Sequence, residues 1–195
     1  PDGASVVFYS QVGPEGDLYV ARSDGTGGLR QLTDDAALDR VPRWSPDGEW
    51  IAMFSNRSGR QHVWKIRADG SDLQQVTQAL ASVVAWSPDG RRLAATRSRP
   101  EPGEPSASIL DAHGSSELVD LPVLPPPNSQ FAFAANSWSP DGRRIAGQYG
   151  FTTLGIVVYS LEARTFEHML GFGEWPVWLP DSRRILLVSR GREFH

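Results

Sequence analysis

Short runs of alternating apolar and polar residues recur along this chain, and each pair of runs meets at the same turn. Trp-Ser-Pro-Asp-Gly stands at 44–48, 86–90 and 138–142, a worn copy follows at Trp178-Leu179-Pro180-Asp181-Ser182, and the chain opens on Pro1-Asp2-Gly3. A short stretch ending in Trp precedes each copy: Val41-Pro42-Arg43-Trp44, Val83-Val84-Ala85-Trp86, Asn136-Ser137-Trp138 and Pro176-Val177-Trp178. An apolar run follows: Val6–Tyr9, Trp50–Phe54, Leu93–Thr96, Ile145–Gln148 and Ile185–Val188. Pro presets φ for the first corner of a turn, Asp hydrogen-bonds the backbone beyond it, and Gly accepts φ > 0. Each copy therefore predicts a hairpin connection between two strands. No stretch of a dozen residues keeps apolar positions at helical spacing without Gly or Pro, so the pattern predicts an all-β fold.

Third strands are predicted at Asp17–Ala21, His62–Ile66, Ser108–Leu110 and Gly155–Tyr159, and fourth strands at Leu29–Thr33, Leu73–Thr77 and Glu117–Val119. From Trp44 to Trp86 is 42 residues, to Trp138 another 52, and to Trp178 another 40. A period near 40–45 residues with several short strands per unit is the signature of β-propeller blades. A four-stranded antiparallel blade cannot bury its faces alone and must pack on neighbours around a common axis. The repeats fall near 1–33, 41–77, 83–121, 136–170 and 176–195, in one propeller unit over 1–195. Three strands, then twelve, then two make no whole number of blades. The expectation is therefore about four complete blades plus partial ones, an excerpt of a six-bladed or larger propeller. Trp44, Trp86, Trp138 and Trp178 are expected to pack between blades, and Asp47, Asp89, Asp141 and Asp181 to stabilise the turns.

Composition adds exclusions. Hydrophobic content is 39%, with 19 Gly and 15 Pro, which suits many short strands and turns. No apolar run is long enough for a membrane span, so no membrane insertion is expected. There is no cysteine, which removes disulfide and thiol chemistry. A net charge of −4 argues against a nucleic-acid partner. Gly-x-Ser-x-Gly and His-Glu-x-x-His are both absent, and His62, His113, His168 and His195 lie in different units with no carboxylate at ligand spacing. No catalytic residue, metal site or cofactor is predicted.

The repeat apolar-Pro-x-Trp-Ser-Pro-Asp-Gly-x-x-Ile-Ala, with its Asp-Gly turn and Leu-Thr or Val-Thr ending, resembles the TolB-type, WD-like propeller repeat. Val41 to Thr77 matches almost throughout, and Pro1 to Thr33 from the turn onward. The resemblance implies a propeller scaffold in one of three settings. These are a periplasmic or extracytoplasmic protein that binds protein partners, a sensory or interaction domain, or the propeller that gates a prolyl-oligopeptidase-like serine peptidase. The first reading is a non-enzymatic scaffold for a protein or peptide partner, and the alternative is the gating propeller. Unpaired edges in an isolated excerpt also predict a strand-completed homodimer.

Loops that break a repeat are where a rigid scaffold carries specificity. Two stretches depart here, 97–106 and 121–135. The candidate partner-binding residues are Arg97, Arg99, Glu101 and Glu104 on the first, and Phe131 and Phe133 on the second.

Overall fold

A strand follows every copy of the predicted turn. The computed structural model describes residues 2–10, 16–97, 104–114, 119–125, 131–149 and 155–189. Among them, seventeen strands form five antiparallel sheets. The first sheet holds β1 (Ser5–Ser10), β2 (Asp17–Arg22) and β3 (Arg30–Gln31). The second holds β4 (Asp39–Trp44), β5 (Trp50–Ser55), β6 (His62–Arg67) and β7 (Gln74–Gln75). The third holds β8 (Ala81–Trp86), β9 (Arg92–Arg97), β10 (Ala107–Asp111) and β11 (Val119–Asp120). The fourth holds β12 (Phe133–Trp138), β13 (Arg144–Tyr149), β14 (Ile156–Ser160) and β15 (Thr165–Leu170), and the fifth β16 (Glu174–Trp178) and β17 (Ile185–Val188). Three full blades flanked by a three-stranded and a two-stranded sheet are an excerpt of a β-propeller.

The hydrophobic cores lie between sheets, as period-2 alternation requires. Leu18 and Val20 pack on Ile51, Met53 and Ile66 between the first and second sheets. Trp50, Ala52 and Val63 meet Val84, Trp86 and Leu93 between the second and third. Ile109 of the third meets Phe133, Trp138 and Tyr159 of the fourth, and Ala146 and Val158 meet Trp178 of the fifth. The outward faces of the two flanking sheets expose Val6 and Phe8 at one end and Leu186 and Val188 at the other.

The outer strands are shorter than their apolar endings predict. After Leu32 N–H donates to the Leu18 carbonyl at 2.8 Å, the next ladder position is taken by a side chain, Thr33 Oγ1 accepting from Leu18 N–H at 3.0 Å. Val76 and Thr77 repeat this against Val63, at 2.8 and 2.9 Å. A threonine hydroxyl thus closes the edge where a further backbone rung would stand.

The second departure from the repeat sends several of its described residues into the core. Leu121 and Leu124 are buried, Phe131 packs against the same cluster, and Phe133 begins β12 opposite Tyr149. The described apolar residues of the departure over 121–135 thus pack into the interface between the third and fourth sheets.

Candidate functional site

The repeated turn is a closed hydrogen-bond unit. In the second sheet Ser45 Oγ donates to Asp47 Oδ1 at 2.5 Å, and the same Asp47 oxygen accepts from Glu49 N–H at 3.0 Å. Ser45 Oγ also accepts from Trp50 N–H at 2.9 Å, and Gly48 N–H returns to the Ser45 carbonyl at 3.0 Å. Ser87, Asp89 and Arg92 reproduce the unit in the third sheet, and Ser139, Asp141 and Arg144 in the fourth. The worn copy lacks the serine, and Arg184 supplies its guanidinium and backbone N–H to Asp181 instead. The Ser87 hydroxyl and then the Arg91 amide hold Asp89 below the usual carboxylate range, and the Ser139 hydroxyl does so for Asp141. Burial raises Asp47, but the Ser45 hydroxyl and Glu49 amide outweigh it and the net shift is downward. The Arg183 amide and the Arg184 side chain lower Asp181 to about 2.

Three of these turns present a tryptophan and a proline to a common space, and β16 of the fifth sheet adds Trp175 and Pro176. A cavity of about 580 Å³ is bounded by β4, β8, β12 and β16, with Trp44, Trp86, Trp138 and Trp175 on its wall beside Pro46, Pro88, Pro140 and Pro176. Trp86 Nε1 donates across the blade interface to the Arg43 carbonyl at 3.1 Å, whereas Trp138 Nε1 donates to Gly142 within its own turn at 3.2 Å. Arg43 also lines the cavity, and burial lowers the pKa of its guanidinium. Trp175 and Val177 are about half exposed.

The innermost strands are bent to make this wall. Each of β4, β8, β12 and β16 shifts register against its partner partway along, β4 between Arg40 and Arg43 and β16 between Glu174 and Val177. Val41 and Trp175, three residues before their repeat tryptophans and each followed by proline, both stand at φ 53°. That is the left-handed region, which a β-branched or bulky side chain rarely enters. The bulges swing Arg43 and Trp175 toward the cavity; the sequence signal for them was the proline inside an inner strand.

The residues expected to bind a partner do not gather there. Arg97 ends β9 and pairs with Asp120 at 2.7 Å. Glu104 is exposed and Phe131 half-buried, its ring 6.2 Å from that of Tyr149. Arg99 and Glu101 lie outside the described residues. Phe133 is fully buried, its ring edge-on to Phe166 at 5.1 Å, which takes it away from any partner-facing surface. His62 Nδ1 lies 3.2 Å from the Ala79 carbonyl and His113 Nε2 3.2 Å from the Gly90 carbonyl. Among the described residues no group of three His, Asp or Glu could hold a metal ion.

Comparisons with known proteins agree with this architecture. The family model described as TolB beta propeller domain matches residues 1–120. The uncharacterized peptidase YuxL of Bacillus subtilis is 32% identical over 198 residues, covering 97% of this chain and 28% of the relative. The Tol-Pal system protein TolB of Anaeromyxobacter dehalogenans (strain 2CP-C) is 32% identical over 111 residues, covering 56% of this chain and 26% of that protein. The crystal structure of TolB from Acinetobacter baumannii superimposes with a TM-score of 0.77 at 19% identity, covering 95% of this chain and 46% of that one. The chain thus spans less than a third of each of these two relatives and under half of the solved structure.

Proposed function

Because the chain belongs to the TolB beta propeller domain family, we propose that it is a non-enzymatic scaffold which holds a protein or peptide partner at its central cavity. The observation that carries this reading is the cavity of about 580 Å³ walled by Trp44, Trp86, Trp138, Trp175 and the turn prolines, with Arg43 as its cation. Tryptophan and arginine in a concave, partly desolvated setting are the residue types that anchor protein interfaces. An apolar segment carrying a carboxylate, such as an acidic loop or a peptide C-terminus, fits that lining. In this reading Arg97, Arg99, Glu101, Glu104 and Phe131 contribute to partner choice from outside the cavity.

Panning a displayed peptide library on the chain tests the reading. Selected peptides should quench tryptophan fluorescence and lose about tenfold or more in affinity with Trp175→Ala or Arg43→Gln, as for interface anchors. Peptides that bind both variants as well as the parent would refute it, as would turnover of ester or peptide substrates by the chain itself. Sedimentation of the isolated chain tests the strand-completed homodimer that unpaired edge strands would favour.

The second reading is a gating propeller attached to a serine hydrolase. It is favoured by YuxL, a peptidase whose similarity runs over 97% of this chain. A parent gene without a hydrolase domain would eliminate it.

A further inference from the structure

The repeats control one another, because their registers superimpose on the shared turn. Counting from that turn, Val7, Ala52, Ala94 and Ala146 are equivalent, and their cross-strand partners are Val20, Lys65, Ile109 and Val158. Lys65 is the one lysine in the chain, and it stands where three other sheets hold a buried aliphatic residue.

A second departure faces it. The next pair in register is Phe8–Tyr19 in the first sheet, Met53–Trp64 in the second, Ala95–Ser108 in the third and Gly147–Val157 in the fourth. In the fourth sheet the missing side chain is replaced by Phe133, whose ring lies 2.4 Å from where a Cβ on Gly147 would sit. The third sheet has Ala81 at the position of Phe133, opposite Arg97 as Phe133 is opposite Tyr149. Three small residues therefore coincide, and nothing large fills their place. The result is a cavity of about 270 Å³ between the second and third sheets, lined by Lys65, Ala95, Ser108 and Ala81.

Lys65 is 4% exposed. Its Nζ donates to the Ala112 carbonyl at 2.7 Å and lies 4.2 Å from the Trp50 ring centroid. Among the described residues no carboxylate reaches salt-bridge distance of it. An ammonium buried without a carboxylate is costly, and a carbonyl and a ring face offset that only in part. Val76, Leu80 and Leu110 give the cavity an apolar wall, while Asp111 on the lining disfavours a second negative charge.

We propose that this cavity binds a small organic monocarboxylate, its carboxylate on the Lys65 ammonium and its apolar body against Val76, Leu80 and Leu110. The volume lies below the ~300–1,000 Å³ of drug-sized sites, which limits the ligand to a fragment such as benzoate. This site is separate from the central cavity and does not rest on the function proposed above.

Lysine-selective ¹³C labelling of the chain yields one side-chain Cε resonance, so Lys65 reports on itself. Benzoate should shift that resonance saturably, and benzyl alcohol at the same concentration should not. Ser108→Trp, which restores the residue of the second sheet and fills the cavity, should abolish the shift; Ala95→Met serves the same purpose should the first variant not fold. Lys65→Met, followed through backbone amide shifts, should weaken benzoate binding about tenfold or more, as expected for a lost charge-assisted hydrogen bond. No saturable shift, an equal response to benzyl alcohol, or unchanged benzoate affinity in Lys65→Met or in the filled variants would overturn the proposal.

Discussion

Arg57 Nη2 meets Asp39 Oδ2 at 2.7 Å with the Asp39 side chain fully buried and Arg57 nearly so. The guanidinium reaches back from the turn after β5 to the start of β4. There it also holds Asp35 at 2.7 Å and lies 5.2 Å from the Trp64 ring centroid. It therefore ties the loop before the second blade to the blade itself. Breaking a buried pair from one side leaves an uncompensated charge, so Arg57→Ala should cost about 3–5 kcal/mol. Asp35→Ala, which removes a half-exposed carboxylate, should cost under ~1 kcal/mol. Urea denaturation of both variants checks the contrast, and equal losses would contradict this account.

The turn aspartates make stability depend on acid. Their folded pKa values are depressed, by the Ser87 hydroxyl for Asp89 and the Ser139 hydroxyl for Asp141. A depressed carboxylate contributes stability above its unfolded pKa and loses it as pH falls through the folded pKa. The thermal midpoint should therefore hold from neutrality to about pH 5 and then decline below about pH 4, where such carboxylates protonate. Ser87→Ala should cost about 1 kcal/mol at pH 7. Part of that penalty should vanish at pH 3.5, where the aspartate begins to protonate. A penalty that does not change between the two pH values would show that the Ser87–Asp89 bond is not the source.

Gly147 is a packing glycine. A Cβ there would lie 2.2 Å from the Ala134 carbonyl oxygen and 2.4 Å from the Phe133 ring. Gly147→Ala should cost about 3 kcal/mol through overpacking, and Phe133→Ala about 3–5 kcal/mol through loss of a buried ring. Removing the ring relieves one of the two clashes, so the double variant should lose less than the sum, a coupling measurable in a double-mutant cycle.

Lys65 should titrate below the 10.5 of an ordinary lysine, because burial disfavours its charged form more than Asp72 and Asp111 restore it. The folded state releases this proton more readily than the unfolded one, so the contribution to stability rises as pH climbs through the folded pKa. Lys65→Ile, which copies Ile109 of the next blade, should stabilise the chain by about 1–2 kcal/mol at pH 7. Calorimetry of that variant decides it, and a loss of stability would mean that the contacts to Ala112 and Trp50 outweigh the burial of the charge.

The hairpins were legible because everything that makes them is local. Ser45, Asp47 and Gly48 satisfy one another within a few residues, so the turn can be read wherever the letters recur, and its spacing reveals blades. The hairpin strands follow from that, and the alternating runs after them mark the strands that complete each sheet. What lay beyond the letters depends on register between sheets. Phe133 reads as part of an insert until its partner Tyr149 and the open space over Gly147 are known. Leu29–Thr33 reads as a full strand until Thr33 Oγ1 is seen to occupy the backbone rung. Lys65 is an unremarkable letter in an alternating strand. It becomes a buried ammonium beside a cavity only when the third blade brings Ala95 and Ser108 against it. Local chemistry sets the hairpin, since a turn's hydrogen bonds close within the turn. Which side chains share a core or a cavity is set by packing between blades far apart in the chain, and that was decided only when the sheets came together.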